Sequence, residues 1–161
     1  MEAKTTRALI IAELDGGRIR KATYSAISFA RQVVSMAGGE FSILVIGPGA
    51  SNAAADLVSY GAATIYATEV TSVAGYVGEH YAPTVAALAG GFDVVVATAT
   101  AFGKDLMPRV AGTLAAGYAA DVTAVVAHGE TGERLYKRPM YAGNAFGYAR
   151  ITTAIHTVTV R

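Results

Sequence analysis

The chain has no cysteine, which removes disulfides, thiolate catalysis and Cys-ligated metal together. Charge is scarce as well: Asp, Glu, Lys and Arg make up 16% of 161 residues and leave a net charge of +1. No Lys/Arg stripe gathers on one face to neutralise phosphates, so no nucleic-acid partner is expected. The longest apolar runs, such as Ala8–Ala12 and Val94–Ala97, fall far short of the roughly 20 residues of a spanning helix. The opening Met1-Glu2-Ala3-Lys4-Thr5-Thr6-Arg7 has neither an apolar signal segment nor an Arg/Ser-rich transit character. The expectation is a cytoplasmic protein that does not insert into a membrane.

Catalytic and nucleotide signatures are missing too. No G-x-x-x-x-G-K-[ST] is present, and no G-x-G-x-x-G follows the first apolar run, which ends in Glu13-Leu14-Asp15. No serine sits on a G-x-S-x-G turn, so a hydrolase has no nucleophile elbow. His80, His128 and His156 lie far apart without metal-ligand spacing, and each is expected to be structural. The chain therefore carries no expected metal and no catalytic residue, and is read as a non-enzyme.

What is abundant is apolar surface: 53% of residues are hydrophobic, above the usual share. Helices buried on more than one side, a surface meant for another protein, or both would account for it. Arg7–Glu13, Phe41–Ile46, Thr64–Ala67, Phe92–Ala97 and Asp121–Ala127 read as short buried strands. Between them Lys21–Ala37, roughly Ala53–Tyr60, Glu79–Leu88 and about Gly103–Ala116 have helical spacing, with glycines closing most of them. This alternation predicts a three-layer α/β fold with a mostly parallel, doubly wound sheet, because parallel strands need helical crossovers. After Gly129, Arg134–Tyr141, Phe146–Ile151 and Ala154–Val160 are strand-like with no helix between them, which predicts an antiparallel meander at the sheet edge. Gly143-Asn144 sits where a tight hairpin needs positive φ. No linker interrupts residues 1–161, so a single domain is expected.

Two stretches could carry function. Thr98-Ala99-Thr100-Ala101-Phe102-Gly103-Lys104 follows a buried strand and opens a helix, where free N–H groups favour anions. Thr98, Thr100, Gly103 and Lys104 are the candidate cofactor contacts. The same residues also fit plain capping, with Asp105 near the positive helix end and Pro108 in the first turn. Gly47-Pro48-Gly49 is a weaker strand-to-helix signal. The second stretch, Arg138-Pro139-Met140-Tyr141-Ala142-Gly143-Asn144-Ala145, combines a strand proline with nearby Tyr136, Phe146 and Tyr148. Proline in a strand implies an edge or bulge, and an aromatic edge needs covering. Arg109, Arg138, Tyr141 and Asn144 are the candidate partner contacts.

Ala101–Ala111 (A-F-G-K-D-L-M-P-R-V-A) and Tyr141–Ala145 (Y-A-G-N-A) together resemble the N-terminal domain of the electron transfer flavoprotein α subunit. Leu9-Ile10-Ile11-Ala12-Glu13, Ala120-Asp121-Val122 and Thr159-Val160-Arg161 extend the resemblance along essentially the whole chain. It implies a scaffold and interface domain of an adenine-nucleotide-α-hydrolase-like fold, in a heterodimer with a β subunit. Such a heterodimer carries electrons from dehydrogenases to a quinone reductase. It further implies that FAD is held mostly by a C-terminal α domain, in cis or in trans, and that AMP, where present, sits in the β subunit. FAD-binding residues of the family have no counterparts here, so this chain alone is not expected to hold flavin. The other readings are a homo-oligomer, and a stand-alone AMP/ATP-binding module of universal-stress-like fold, with the nucleotide beyond the strand ends near Gly47-Pro48-Gly49 or Thr98–Lys104. The phosphate pattern of that group is present only as a partial echo at Gly112-Thr113.

Overall fold

The computed structural model describes residues 5–70, 75–128 and 133–161. The expectations at Met1–Lys4 and at the Gly129 break lie outside the described residues. The chain runs β1 (Thr6–Ala12), a two-strand ribbon β2 (Leu14–Asp15) and β3 (Arg18–Ile19), then α1 (Thr23–Ala37), β4 (Gly39–Ile46) and α2 (Ala50–Ala54). A 3-10 segment at Ala55–Tyr60 leads to β5 (Ile65–Thr68), α3 (Gly78–Ala89), β6 (Val94–Thr98), α4 (Ala101–Leu114) and β7 (Gly117–Val122). The remainder is β8 (Ala124–His128), β9 (Glu133–Met140), a 3-10 turn at Tyr141–Gly143, β10 (Ala145–Arg150) and β11 (His156–Val160).

The main sheet has six strands in the order β5-β4-β1-β6-β11-β7, and every pairing in it is parallel. Alternate residues of the continuous apolar strands feed two cores. Ala8, Ile10, Ile43, Val45, Val94 and Val96 meet Ile27, Ala30 and Val33 of α1. Leu9, Ile11, Leu44, Ile46, Val95 and Ala97 meet Tyr81, Val85, Leu106, Met107 and Val110 of α3 and α4. The expected three-layer α/β architecture is therefore the observed one.

The C-terminal quarter departs from the expected meander in one strand. β8, β9 and β10 do form an antiparallel sheet, in the order β10-β9-β8. The segment expected at Ala154–Val160 instead leaves it and enters the main sheet as β11, parallel to both β6 and β7. α4 carries the chain one strand position beyond β6, and β11 fills the gap. Its threonines suit that buried place because β7 satisfies them. Thr157 Oγ1 donates to the Gly117 carbonyl at 2.9 Å, and Thr159 Oγ1 accepts from the Asp121 amide at 3.1 Å.

Three smaller expectations are also corrected. Asp121–Ala127 is two strands, since Asp121 takes φ +60° and the chain passes at Thr123 from one sheet to the other. Pro108 is eighth in α4, not in its first turn. It is exposed there and forgoes only the amide bond back to Lys104. At the hairpin the left-handed residues are Tyr141, Ala142 and Gly143 (φ +49°, +54° and +92°), whereas Asn144 has φ −70°. Pro139 lies in the central strand, but β8 pairing stops at Ala124 opposite Lys137. Its missing amide therefore faces no ladder, which is the local edge that a strand proline requires.

Tyr136 docks the small sheet on the body. It is fully buried, stacks on Phe29 of α1 with ring centroids 6.4 Å apart, and its hydroxyl lies 2.7 Å from His156 Nδ1. Burial, then the Arg134 charge, depress the His156 pKa below its ordinary 6.5, while a hydrogen bond with the Thr153 backbone and the Asp93 and Glu133 charges pull the other way. The folded chain thus binds fewer protons here than the unfolded one as pH falls below 6.5. This contribution to stability is complete above pH about 6.5 and is lost as pH falls through the lower folded value. Urea midpoints should decline between pH 8 and pH 5, and His156→Gln should flatten that decline. An equally steep decline in the variant would overturn the assignment.

Candidate functional site

Because the main strands are parallel, their carboxyl ends share one edge, and the order reverses direction between β1 and β6. In open α/β sheets ligands bind at such a switch point. Here it is closed by side chains of the chain itself. Glu13, one residue past β1, is 5% exposed. It accepts from Thr100 Oγ1 at 2.7 Å and from Arg20 Nη1 at 2.8 Å. Thr100 is also the N-cap of α4, accepting from the Gly103 amide.

Gly103 serves this close approach of helix to strand. A Cβ there would lie 1.9 Å from the Thr98 carbonyl oxygen, so no larger residue fits without moving α4 off β6. Lys104 is exposed on the same turn. Thr98, Thr100 and Lys104 do converge: they line a cavity of about 210 Å³ with Ser25, Asp121 and Arg161. Arg161 holds Asp121 through two hydrogen bonds of 2.8 and 2.9 Å. The Arg161 guanidinium, with the Lys104 and Arg138 charges, keeps the Asp121 carboxyl below the usual carboxylate range.

A second cavity of about 310 Å³ is walled by Leu14, Ile46, Pro48, Tyr76, Tyr81 and Phe102. Its aromatic rings meet edge to face, Tyr76 and Phe102 at 4.8 Å. The Gly47-Pro48-Gly49 turn beside it already has an anion. Glu69 accepts from the Gly49 and Ser51 amides at 2.9 Å each, and these bonds, Ser51 first, lower its pKa.

The candidate partner residues fall in two places. Arg109 bridges α3 and α4, reaching Glu79 at 2.8 Å and Asp105 at 3.0 Å. Asp105 also accepts from the Tyr76 hydroxyl at 2.7 Å, and its pKa is lowered by Tyr76 first and Arg109 second. Arg138, Tyr141 and Asn144 belong to the β9–β10 hairpin. Tyr141 is 79% exposed, and Met140, Phe146 and Tyr148 are exposed around it. Tyr136, expected among the exposed aromatics, is buried in the core. His80 is exposed on α3. Among the described residues no group of His, Asp and Glu is placed to hold a metal, and no helix is long and apolar enough to cross a membrane.

Glu13, Arg20, Glu69, Asp121 and Arg161 were missed as site residues by the sequence reading. An acid closing an otherwise apolar strand was the available signal for Glu13. Pairings such as Glu69 with Gly49, or Asp121 with Arg161, depend on the folded chain alone.

A parallel three-layer domain with its switch point bridged and an aromatic hairpin exposed defines a class of α/β scaffold. Comparison narrows the class. A family model described as the electron transfer flavoprotein domain matches residues 8–161. The electron transfer flavoprotein α subunit of Pseudomonas aeruginosa is 30% identical over 154 residues, 95% of this chain and 47% of that protein. That of Bradyrhizobium diazoefficiens is 34% identical over 154 residues, 95% of this chain and 46% of that protein. The mitochondrial α subunit of Oryza sativa subsp. indica is 30% identical over 150 residues, 89% of this chain and 40% of that protein. The chain belongs to the electron transfer flavoprotein family, and the match lies in the N-terminal part of the α subunits. It spans about half the length of the curated relatives it matches.

Removing the bridge at the switch point has a definite cost. Thr100→Ala should lower stability by about 2 kcal/mol, through the lost cap and the buried Glu13 oxygen left short of a donor. Thr100→Ser should restore most of it in urea denaturation. Equal losses in both variants would show that neither bond matters. Gly103→Ala should be worse than Thr100→Ala, because the clash is with backbone rather than a movable side chain.

Proposed function

We propose that residues 1–161 form a single domain, the scaffold and subunit-interface part of an electron transfer flavoprotein α subunit. It works in a heterodimer with a β subunit, and the assembly carries electrons from dehydrogenases to a quinone reductase. The chain is an electron-carrier component without a catalytic site of its own, and its place is the cytoplasm. The family match along residues 8–161 carries this reading. The exposed Met140, Tyr141, Phe146 and Tyr148 support the interface role, since aromatics and Met are enriched where proteins meet.

FAD belongs to the assembly, and we assign it to another domain. The strand-end cavities of about 210, 310 and 380 Å³ lie at the small end of the roughly 300–1,000 Å³ of sites for drug-sized ligands. FAD is larger than such ligands, and Glu13 and Thr100 are hydrogen-bonded across the switch point between β1 and β6. The flavin domain is therefore supplied in cis or in trans, with Thr98, Thr100, Gly103 and Lys104 as this domain's cofactor-side contacts. Arg109, Arg138, Tyr141 and Asn144 are its partner-side contacts. The stand-alone AMP/ATP reading loses one of its two expected places, Gly47-Pro48-Gly49, where Glu69 occupies the amides.

Two measurements test the proposal. FAD added to the purified chain should be lost on dialysis, and yellow colour retained by the chain alone would reject the assignment of flavin to another domain. Tyr141→Ala should weaken binding of a β subunit about tenfold or more, the effect of a buried aromatic anchor. Its urea midpoint should stay put, because the side chain touches little of its own domain. Unchanged association in a Tyr141→Ala, Phe146→Ala double variant would remove the hairpin from the interface.

A further inference from the structure

We propose that the open cavity lined by Ser25 of α1, Thr98, Thr100, Lys104, Asp121 and Arg161 is an oxyanion site that takes a phosphate group at the N-terminus of α4. This goes beyond electron transfer and stands independently of it. The first observation is a hydroxyl without a partner. Thr98 is 3% exposed, and its Oγ1 is the one buried side-chain polar atom with no hydrogen bond among the described residues. The other buried threonines are satisfied: Thr6 by Arg134, Thr23 by the Glu13 amide, and Thr157 and Thr159 by β7. A buried donor left unmade costs about 1–3 kcal/mol, which a ligand oxygen would offset. Thr98 follows Val94 and Val96 on the α1 face of β6, the face on which the cavity opens.

The second observation is the helix. α4 is a 14-residue helix beginning at this cavity, with no acidic side chain in its first turn. Its leading amides and macrodipole favour an anion there. The Glu13 carboxylate meets this end of the helix only through the Thr100 hydroxyl, whereas at the Gly49 turn Glu69 takes the backbone amides themselves. The third is charge. Lys104 lines the cavity, and no ion pair among the described residues engages it. The two acids nearby are each occupied by an arginine, Glu13 by Arg20 and Asp121 by Arg161. A volume of about 210 Å³ admits a phosphate group with a few waters. Either a free phosphate ion or the terminal group of a phosphomonoester supplies that chemistry.

Inorganic phosphate titrated into the ¹⁵N-labelled chain at constant ionic strength should give saturating amide shifts at Thr100, Ala101 and Phe102. Lys104→Met should weaken the binding about tenfold or more, the scale of a hydrogen bond to a charged group. Thr98→Val should weaken it while raising the urea midpoint, because the orphan hydroxyl is gone; Thr98→Ser should retain binding. A parallel titration with AMP separates the sources: tighter binding than phosphate assigns a phosphomonoester, equal or weaker binding assigns the free ion. Shifts that never saturate, that spread over all basic residues, or that persist unchanged in Lys104→Met would overturn the proposal. An unchanged midpoint in Thr98→Val would overturn its premise. Failure here leaves β-subunit association untouched, so the two readings fall separately.

Discussion

Insertion of β11 between β6 and β7 is the constraint on which the rest of the structure depends. β6 and β7 are joined through α4 yet do not pair with each other; each pairs instead with β11. Without the last strand the sheet ends at β6, β7 is left unpaired, and the buried Ala119 and Val122 lose the core they share with Val158 and Val160. The antiparallel sheet is then a detour between β7 and β11, held to the body where Tyr136 meets Phe29 and His156. Such a pairing is distant in sequence, so its loop-closure entropy must be met before the contacts form. The 210 Å³ cavity inherits the same dependence, since Val160, Arg161 and Asp121 reach it only once β11 is seated.

The acids along the carboxyl edge show a common logic. Glu13, Glu69, Asp105 and Asp121 come from four different segments, and each is engaged by donors of its own chain. Buried or partly buried carboxylates are tolerated when donors surround them. A domain that spends its acids this way locks its loops rather than leaving a flexible mouth.

How much of this could be read from the residues follows from the range of each interaction. Phe92–Ala97 and Lys21–Ala37 were legible because a buried strand and an amphipathic helix write their period locally. The destination of Ala154–Val160 was not, because a Thr/Val alternation fits an edge hairpin and a central parallel strand equally. Only the vacancy between β6 and β7 decides between them. The division of Asp121–Ala127 was hidden for a related reason: a continuous apolar run gives no sign of where it changes sheets, and Asp121 takes its left-handed conformation in tertiary context. At the candidate site, Thr98, Thr100 and Lys104 were found from their place after a strand and before a helix. Their neighbours Glu13, Asp121 and Arg161 come from just past β1, from β7 and from the end of β11, and no spacing rule joins those.

The apolar excess can now be apportioned between its two possible causes. Most of it is internal. A sheet covered on both faces needs strands that are apolar at consecutive positions, and β1 obeys this with Ala8 to Ala12 all buried. The small residues let helices close on that sheet, most severely at Gly103, where one methyl would collide with the strand below. The remainder is external and concentrated. Met140, Tyr141, Phe146 and Tyr148 sit on one hairpin, in register with Pro139 and Lys137 across the ladder, and Lys137 lies 4.1 Å over the Phe146 ring. Scattered exposed side chains need no explanation, whereas a cluster of aromatics on a projecting hairpin does. The strain agrees with that: Tyr141 and Ala142 hold positive φ, a conformation that costs non-glycine residues energy, at a tip that contributes little to either core. Stability gives no reason to keep such a turn. The proposed role of Tyr141 as a partner contact would give one.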